Sequence, residues 1–91
     1  MRRAAKRDES EPIVVEALEA SGAYVLRMHK PVDLLVFYAG HWWMAECKTP
    51  GRRLRSDQRE QNEFCARFNV PYLRTAEDVR NQLTIWSMHG R

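Results

Sequence analysis

Two apolar runs of strand length, separated only by Ala39 and Gly40, constrain this chain of 91 residues more than any other feature. Residues 33–38 and 41–48 are apolar at most positions, and the small residues between them favour a tight turn. The two runs therefore predict a β-hairpin. Because both faces of each strand are mostly apolar, we expect the hairpin to lie at the centre of a sheet that is covered on both sides.

Three charged residues lie at the end of this hairpin that is remote from the turn. Asp33 begins the first run, and Glu46 and Lys48 end the second. Positions 33 and 46 or 47 are about equally far from the turn, so the hairpin should bring Asp33 close to Glu46. Glu46 and Lys48 are two residues apart on a strand and therefore share a face. Burying a charge without a partner is costly, so charges in such places need an explanation.

A bound cation would provide that explanation. Two carboxylates that lie close together repel each other unless a proton or a cation lies between them. Mg²⁺ and Mn²⁺ prefer oxygen ligands and retain water molecules for a reaction. The side chain of Cys47 should face away from Glu46, but its backbone carbonyl could still reach a metal ion. Lys48 could orient a water molecule or neutralise a phosphate, so the group predicts a metal-dependent phosphodiester site.

Turn and capping signals divide the rest of the chain into helices and short strands. Ser10 is the predicted N-cap of a first helix that ends at Gly22, and Thr75 with Asp78 resembles a capping box for the last helix. The other predicted elements are a strand over residues 23–28, a helix from 56 or 57 to about 68, and a strand over 70–74. The predicted buried helical positions are Ile13, Val14, Ala17, Leu18 and Ala20 or Ser21, then Phe64, Cys65 and Phe68, then Val79, Leu83 and Ile85 or Trp86. The order α-β-β-β-α-β-α predicts an α/β (α+β) domain with a mixed central sheet flanked by helices.

Basic residues are concentrated in two segments. The formal net charge is +3 and the sequence pI is about 9.2, which favours anionic partners only weakly. Residues 1–8 are basic and are predicted to form a flexible arm, so that the domain itself spans residues 9–91. The second segment follows the hairpin and suits contacts with phosphate groups. It contains Arg52, Arg53, Arg55 and Arg59.

Size and cysteine use indicate the setting in which the chain works. A single domain of 91 residues has a small core, and pairing with a second copy would help to stabilise it. Cys47 and Cys65 show no disulfide framework and no metal-pair spacing, so we expect two reduced thiols in a cytoplasmic protein. We expect no signal peptide, and no stretch approaches the ~18 apolar residues of a membrane span.

Asp33 followed by Glu46-Cys47-Lys48 resembles the PD-(D/E)xK nuclease pattern and, more narrowly, a stand-alone VRR-NUC domain of phage or bacterial type. The resemblance covers residues from about 9 to 78 and implies a restriction-endonuclease-like core. The further matching segments are the first helix ending at Gly22, Thr49-Pro50-Gly51-Arg52, Ser56-Asp57-Gln58 and Glu77-Asp78-Val79. The family usually reads Gly-x-Pro-Asp, whereas here Val32 stands between Pro31 and Asp33, so the path into the strand is expected to differ.

The resemblance implies a role for each matching residue. Asp33 and Glu46 would bind one or two Mg²⁺ or Mn²⁺ ions together with the backbone carbonyl of Cys47. Glu11 on the first helix would complete the metal shell, with Glu9 as the alternative. The catalytic set would be Asp33, Glu46, Lys48 and Gln58, and the DNA contacts would come from Arg52, Arg53, Arg55 and Arg59.

The function implied by the resemblance is that of a metal-dependent, structure-specific DNA endonuclease. Such an enzyme would act as a homodimer on four-way (Holliday) junctions or other branched DNA, with no membrane and no cofactor beyond the metal. The alternative is a non-catalytic or partner-dependent nucleic-acid-binding module on the same fold, which the basic segments would serve equally well. The plainest alternative for Glu46 and Lys48 is an ordinary surface salt bridge.

Overall fold

A computed structural model of the chain describes residues 9–48 and 59–89. Within them the elements follow the predicted order, and together they form a small α+β domain with a mixed four-stranded sheet. They are α1 (Glu11–Ala20), β1 (Tyr24–Arg27), β2 (Leu34–Tyr38), β3 (His41–Cys47), α2 (Arg59–Phe68), β4 (Tyr72–Leu73) and α3 (Ala76–His89). The predicted arm over residues 1–8 and the predicted start of the second helix lie outside the described residues.

The predicted hairpin forms the centre of the sheet. The strand order is β1-β2-β3-β4, in which β2 pairs antiparallel with both β1 and β3, and β4 runs parallel to β3. Ala39 and Gly40 connect β2 to β3 with φ angles of 55° and 80°. Positive φ at both central residues is typical of a type I′ turn, whose twist matches that of the flanking strands. Alanine is an unusual residue there, because its Cβ disfavours the left-handed region.

The ends of the helices follow the predicted signals. Ser10 occupies the N-cap position of α1, although its hydroxyl makes no capping hydrogen bond. At the other end the amides of Gly22 and Ala23 donate to the carbonyls of Glu19 and Leu18, a Schellman motif in which Gly22 takes a φ of 93°. These bonds end the helix and direct the chain into β1.

The predicted capping box at the start of α3 is confirmed. The amide of Asp78 donates to the Thr75 hydroxyl at 3.1 Å, and the amide of Thr75 donates back to the Asp78 carboxylate at 3.1 Å. The same carboxylate oxygen accepts the amide of Arg74 at 2.9 Å. Backbone donors at the helix start are thereby satisfied, which fixes where α3 begins.

The main hydrophobic core lies between the sheet and the two helices α1 and α3. Trp86 is almost fully buried and stacks on Trp43 with ring centroids 5.3 Å apart, which settles the open choice between Ile85 and Trp86. Ile85 is exposed. On the first helix Ile13, Ala20 and Ser21 are also exposed, contrary to prediction. Val15 takes the buried position instead, because α1 is rotated so that Glu11, Val14, Val15 and Leu18 face inward.

A second, smaller cluster packs beneath α2 on the other face of the sheet. Val32, Cys65 and Val70 are buried there, and Phe64 is packed against them, whereas Phe68 is exposed rather than buried as predicted. Val32, the residue that departs from the expected pattern before Asp33, is completely buried. It therefore anchors the loop that leads to Asp33.

The prediction that the hairpin is covered on both faces is wrong near its turn. Tyr24, Phe37 and Trp42 are directly opposite one another across three strands, and each remains substantially exposed. The Trp42 ring lies edge-on to that of Tyr24, with centroids 6.4 Å apart, and is tilted against that of Phe37, with centroids 5.1 Å apart.

Among the described residues, no helix has both the length and the apolar character that crossing a membrane requires.

Candidate functional site

Asp33 lies at the open end of the hairpin, next to Glu46 as predicted. It stands immediately before β2 rather than in it, because the regular pairing begins with Leu34 opposite Ala45. The amide of Asp33 donates to Oε1 of Glu46 at 3.0 Å, and the amide of Cys47 donates to Oδ2 of Asp33 at 2.9 Å. Asp33 is thus held by reciprocal bonds to two consecutive residues of β3.

Glu46 and Cys47 project to opposite faces of the sheet, as strand alternation predicts. Cys47 packs in the main core, whereas Glu46 is on the α2 side, where its charge acts on Cys65 and Tyr72. Glu46 is only 6% exposed. The pairing with β4 fixes this strand end, because the amides of Glu46 and Lys48 donate to carbonyls of that strand region at 2.9 Å and 3.2 Å.

Lys48 is partly buried and follows directly after β3. Its amide donates to the carbonyl of Leu73, so its backbone position is fixed by the neighbouring strand. Lys48 therefore lies at the same end of β3 as Glu46, as the sequence predicted.

Glu11 reaches the same region from the first turn of α1. Its side chain is 1% exposed, and one of its carboxylate oxygens lies within 4.8 Å of an oxygen of Asp33 and of the sulfur of Cys47. The alternative residue, Glu9, is exposed and is not part of this group. Cys47 joins this group through its thiol, and the predicted role of its backbone carbonyl stays a prediction. Within the described residues Glu46 is outside this group of three and touches Asp33 from the other face.

Arg27 belongs to the site although it was not predicted from the sequence. Its Nε lies 3.4 Å from Oε2 of Glu11, and its side chain is 50% exposed. Arg27 ends β1 opposite Leu34, one residue from Asp33. The available signal was the alternation of β1, since Val25 packs against the main core and a residue two positions later points to the same face.

The charges of Glu46 and Asp33 also act on the smaller cluster beneath α2. Burial raises the pKa of the Cys65 thiol from its usual 9.0 to about 11, with the charges of Glu46 and Asp33 contributing in the same direction. Burial also raises the pKa of Tyr72 to about 12, assisted by Cys65 and then by the same two carboxylates. The Tyr72 hydroxyl donates to Oδ1 of Asn62 at 3.0 Å. Cys65 is therefore a neutral thiol near pH 7 and not a nucleophile, which agrees with its predicted role as a small core residue.

The donor set fits a hard divalent cation through its carboxylates. Glu11 and Asp33 supply oxygen donors from different elements, and their ligand atoms are already within 4.8 Å of each other. Oxygen donors of this kind are those that Mg²⁺ and Mn²⁺ prefer, whereas a thiol such as that of Cys47 suits softer ions. The fit to Mg²⁺ or Mn²⁺ thus rests on the two acids, with Glu46 adjacent.

Part of the predicted site falls outside the described residues. Gln58 lies there, as do Arg52, Arg53 and Arg55. Arg59 is the first described residue of α2 and is exposed. The helix is tied to the loop before Asp33, because Nε2 of Gln61 donates to the carbonyl of His29 at 2.8 Å.

Comparisons with protein-family models, with curated proteins and with solved structures found no match to this chain. The resemblance to VRR-NUC nucleases therefore stays a prediction that rests on the motif residues.

Proposed function

We propose that this protein is a metal-dependent DNA endonuclease that hydrolyses phosphodiester bonds in branched DNA, such as four-way junctions, and acts as a homodimer. The observation that carries the proposal is the proximity of the carboxylates of Glu11 and Asp33, whose oxygens lie within 4.8 Å of each other. They come from a helix and a loop that are distant in sequence. Glu46 adds a third acid on the other side of Asp33, where it accepts the Asp33 backbone amide.

The three acids differ in what they can do. Glu11 and Asp33 would hold one Mg²⁺ or Mn²⁺ ion, and Glu46 would orient Asp33 or bind a second ion. The chemistry supplied by a bound divalent cation is the lowering of a water molecule's pKa and the stabilisation of charge on the phosphate. Asp33 is well prepared for its part, because the amide of Cys47 fixes one carboxylate oxygen at 2.9 Å.

Lys48 is the proposed catalytic cation on the protein. It follows Glu46 by two residues, and its backbone is held to β4 at 3.2 Å. An ammonium group there would orient the attacking water or neutralise a phosphate oxygen as charge develops. Gln58 would position Lys48 or the substrate, and Arg52, Arg53, Arg55 and Arg59 would contact the DNA backbone.

The test is cleavage of a labelled four-way junction in the presence of Mn²⁺. The native chain should cut the junction, and Lys48→Ala and Asp33→Asn should each reduce the rate by at least about a hundredfold. Arg80→Ala removes an exposed positive charge on α3 and is the matched control, so it should retain activity. Circular dichroism would verify that each variant is folded.

Three results distinguish the alternatives. Equal cleavage by the native chain and Lys48→Ala would refute the catalytic assignment. Salt-sensitive junction binding without any metal-dependent cleavage would favour a non-catalytic binding module. Sedimentation of the native chain with and without the junction tests the dimer, since a monomer in both samples would contradict that part of the proposal.

A further inference from the structure

Arg27 is a positive side chain in direct contact with a buried acid of the site. It ends β1, and its Nε lies 3.4 Å from the buried carboxylate of Glu11. Half of its side chain is exposed, whereas that of Glu11 is 1% exposed. The guanidinium thus connects the buried acid to the solvent-exposed surface.

We propose that Arg27 is the internal counter-ion of Glu11 in the cation-free protein and competes with a divalent cation for that carboxylate. The inference rests on the proposed function only in taking Glu11 as a cation ligand. A buried carboxylate needs a compensating charge, and Arg27 supplies one while the site holds no cation. If Glu11 and Asp33 held a divalent ion, its charge and that of Arg27 would repel each other, so the contact between Arg27 and Glu11 would break.

This competition gives Arg27 a positioning role and sets a threshold for cation binding. Arg27 holds the Glu11 carboxylate in place close to Asp33, which preserves the ligand pair. It also lowers the apparent affinity for a cation, because binding must first break the contact between Arg27 and Glu11. Because the Arg27 side chain is half exposed, its guanidinium can move into solvent when this contact breaks.

The experiment is a Mn²⁺ titration of the full chain, in which electron paramagnetic resonance measures the free ion. Arg27→Gln should bind Mn²⁺ about tenfold more tightly than the native chain, equivalent to about 1.4 kcal/mol. Arg80→Gln removes an equal charge from an exposed position on α3 and should change the affinity less than about twofold. Arg27→Lys retains the charge and should stay within about threefold of the native value.

Glu11→Gln tests whether the effect passes through this carboxylate. In the Glu11→Gln background, Arg27→Gln should no longer alter the Mn²⁺ affinity. A second readout needs no metal: Arg27→Gln should lower the melting temperature, and the double variant should recover most of that loss. An equally large affinity gain in the Glu11→Gln background would reduce the effect to general electrostatics and overturn the proposal.

The outcomes separate this proposal from the nuclease function. Unchanged or weaker Mn²⁺ binding by Arg27→Gln overturns the role of Arg27, even if the native chain cleaves DNA. Tighter binding with no cleavage by any variant supports Arg27 and refutes the nuclease. Absence of Mn²⁺ binding by both the native chain and Arg27→Gln overturns both proposals.

Discussion

Replacing Asp33 by asparagine should make the cation-free protein more stable, although the same change should abolish cleavage. Asp33 has an oxygen within 4.8 Å of one from Glu11, and its amide bonds to Glu46. Two unit charges at that separation repel by about 3 kcal/mol at an effective dielectric constant of about 20. Arg27 beside Glu11 offsets part of this repulsion, which leaves roughly 2 kcal/mol to be gained.

Asp33→Asn also weakens a hydrogen bond, and this loss must be subtracted from the gain. Asparagine can still accept the amide of Cys47, but a neutral acceptor makes a bond weaker by about 1 kcal/mol than a charged one. The expected net gain in the free energy of unfolding is therefore about 1 kcal/mol. Urea denaturation in EDTA measures it as a shift of the midpoint at constant m-value. In saturating Mn²⁺ the order should reverse, because only the native chain gains the full binding energy.

Asp78→Asn is a suitable control because its carboxylate is also hydrogen-bonded but has a favourable environment. It accepts the amides of Arg74 and Thr75 at the start of α3, where the helix dipole favours negative charge. Asp78→Asn should therefore lower the stability by about 0.5–1 kcal/mol. If Asp33→Asn lowers the stability in EDTA as Asp78→Asn does, the carboxylate of Asp33 is structural and the repulsion argument fails.

Three further predictions concern the scaffold. Leu18→Ala should lower the free energy of unfolding, measured by urea denaturation, by about 2–5 kcal/mol because Leu18 is fully buried. Ile13→Ala, at an exposed position, should change it by less than about 0.5 kcal/mol, and equal effects of the two substitutions would contradict the observed rotation of α1. Ala39→Asn should raise the free energy of unfolding by about 0.5–1 kcal/mol, because asparagine tolerates the φ of 55° better than alanine. An unchanged midpoint of urea denaturation would refute the type I′ assignment. Because the pKa of Cys65 is raised in the folded state, its stabilising contribution is complete below the usual thiol pKa of 9.0 and is lost between pH 9.0 and about 11, where the thiol of the unfolded chain ionises first. Cys65→Ala should make this decrease in the free energy of unfolding less steep, and identical pH profiles for the two chains would contradict the raised pKa.

The hairpin and its acids could be predicted because they depend on local geometry. A short turn at Ala39 and Gly40 fixes which residues face each other, so equal distance from the turn was sufficient to bring Asp33 to Glu46. The capping box at Thr75 and Asp78 is local in the same sense. Such features require no knowledge of how distant elements pack.

The features that escaped prediction depend on packing between distant elements. The helical spacing around Ile13 allows more than one rotation of α1, since adjacent positions 13, 14 and 15 are all apolar. The contacts of α1 with β1 and α3 choose the rotation that buries Val15 and Glu11. The pair Glu11–Arg27 then follows from that rotation and from the end of β1, two facts that no sequence spacing connects.

The buried polar groups at this end of the sheet are those that the proposed function would require. Among the described residues, the buried polar or charged ones are Ser10, Glu11 and Glu46. All three lie around Asp33 or at the start of α1, although burying an acid is costly and replacement by an apolar residue is often neutral or stabilising. A single Glu11–Arg27 pair would explain one buried acid as a stabilising contact, but it would not explain why Asp33 lies close to Glu11 or why Glu46 is buried on the other side of Asp33. Charged side chains are normally excluded from the interior. Several of them buried in one place are expected where a site requires those charges.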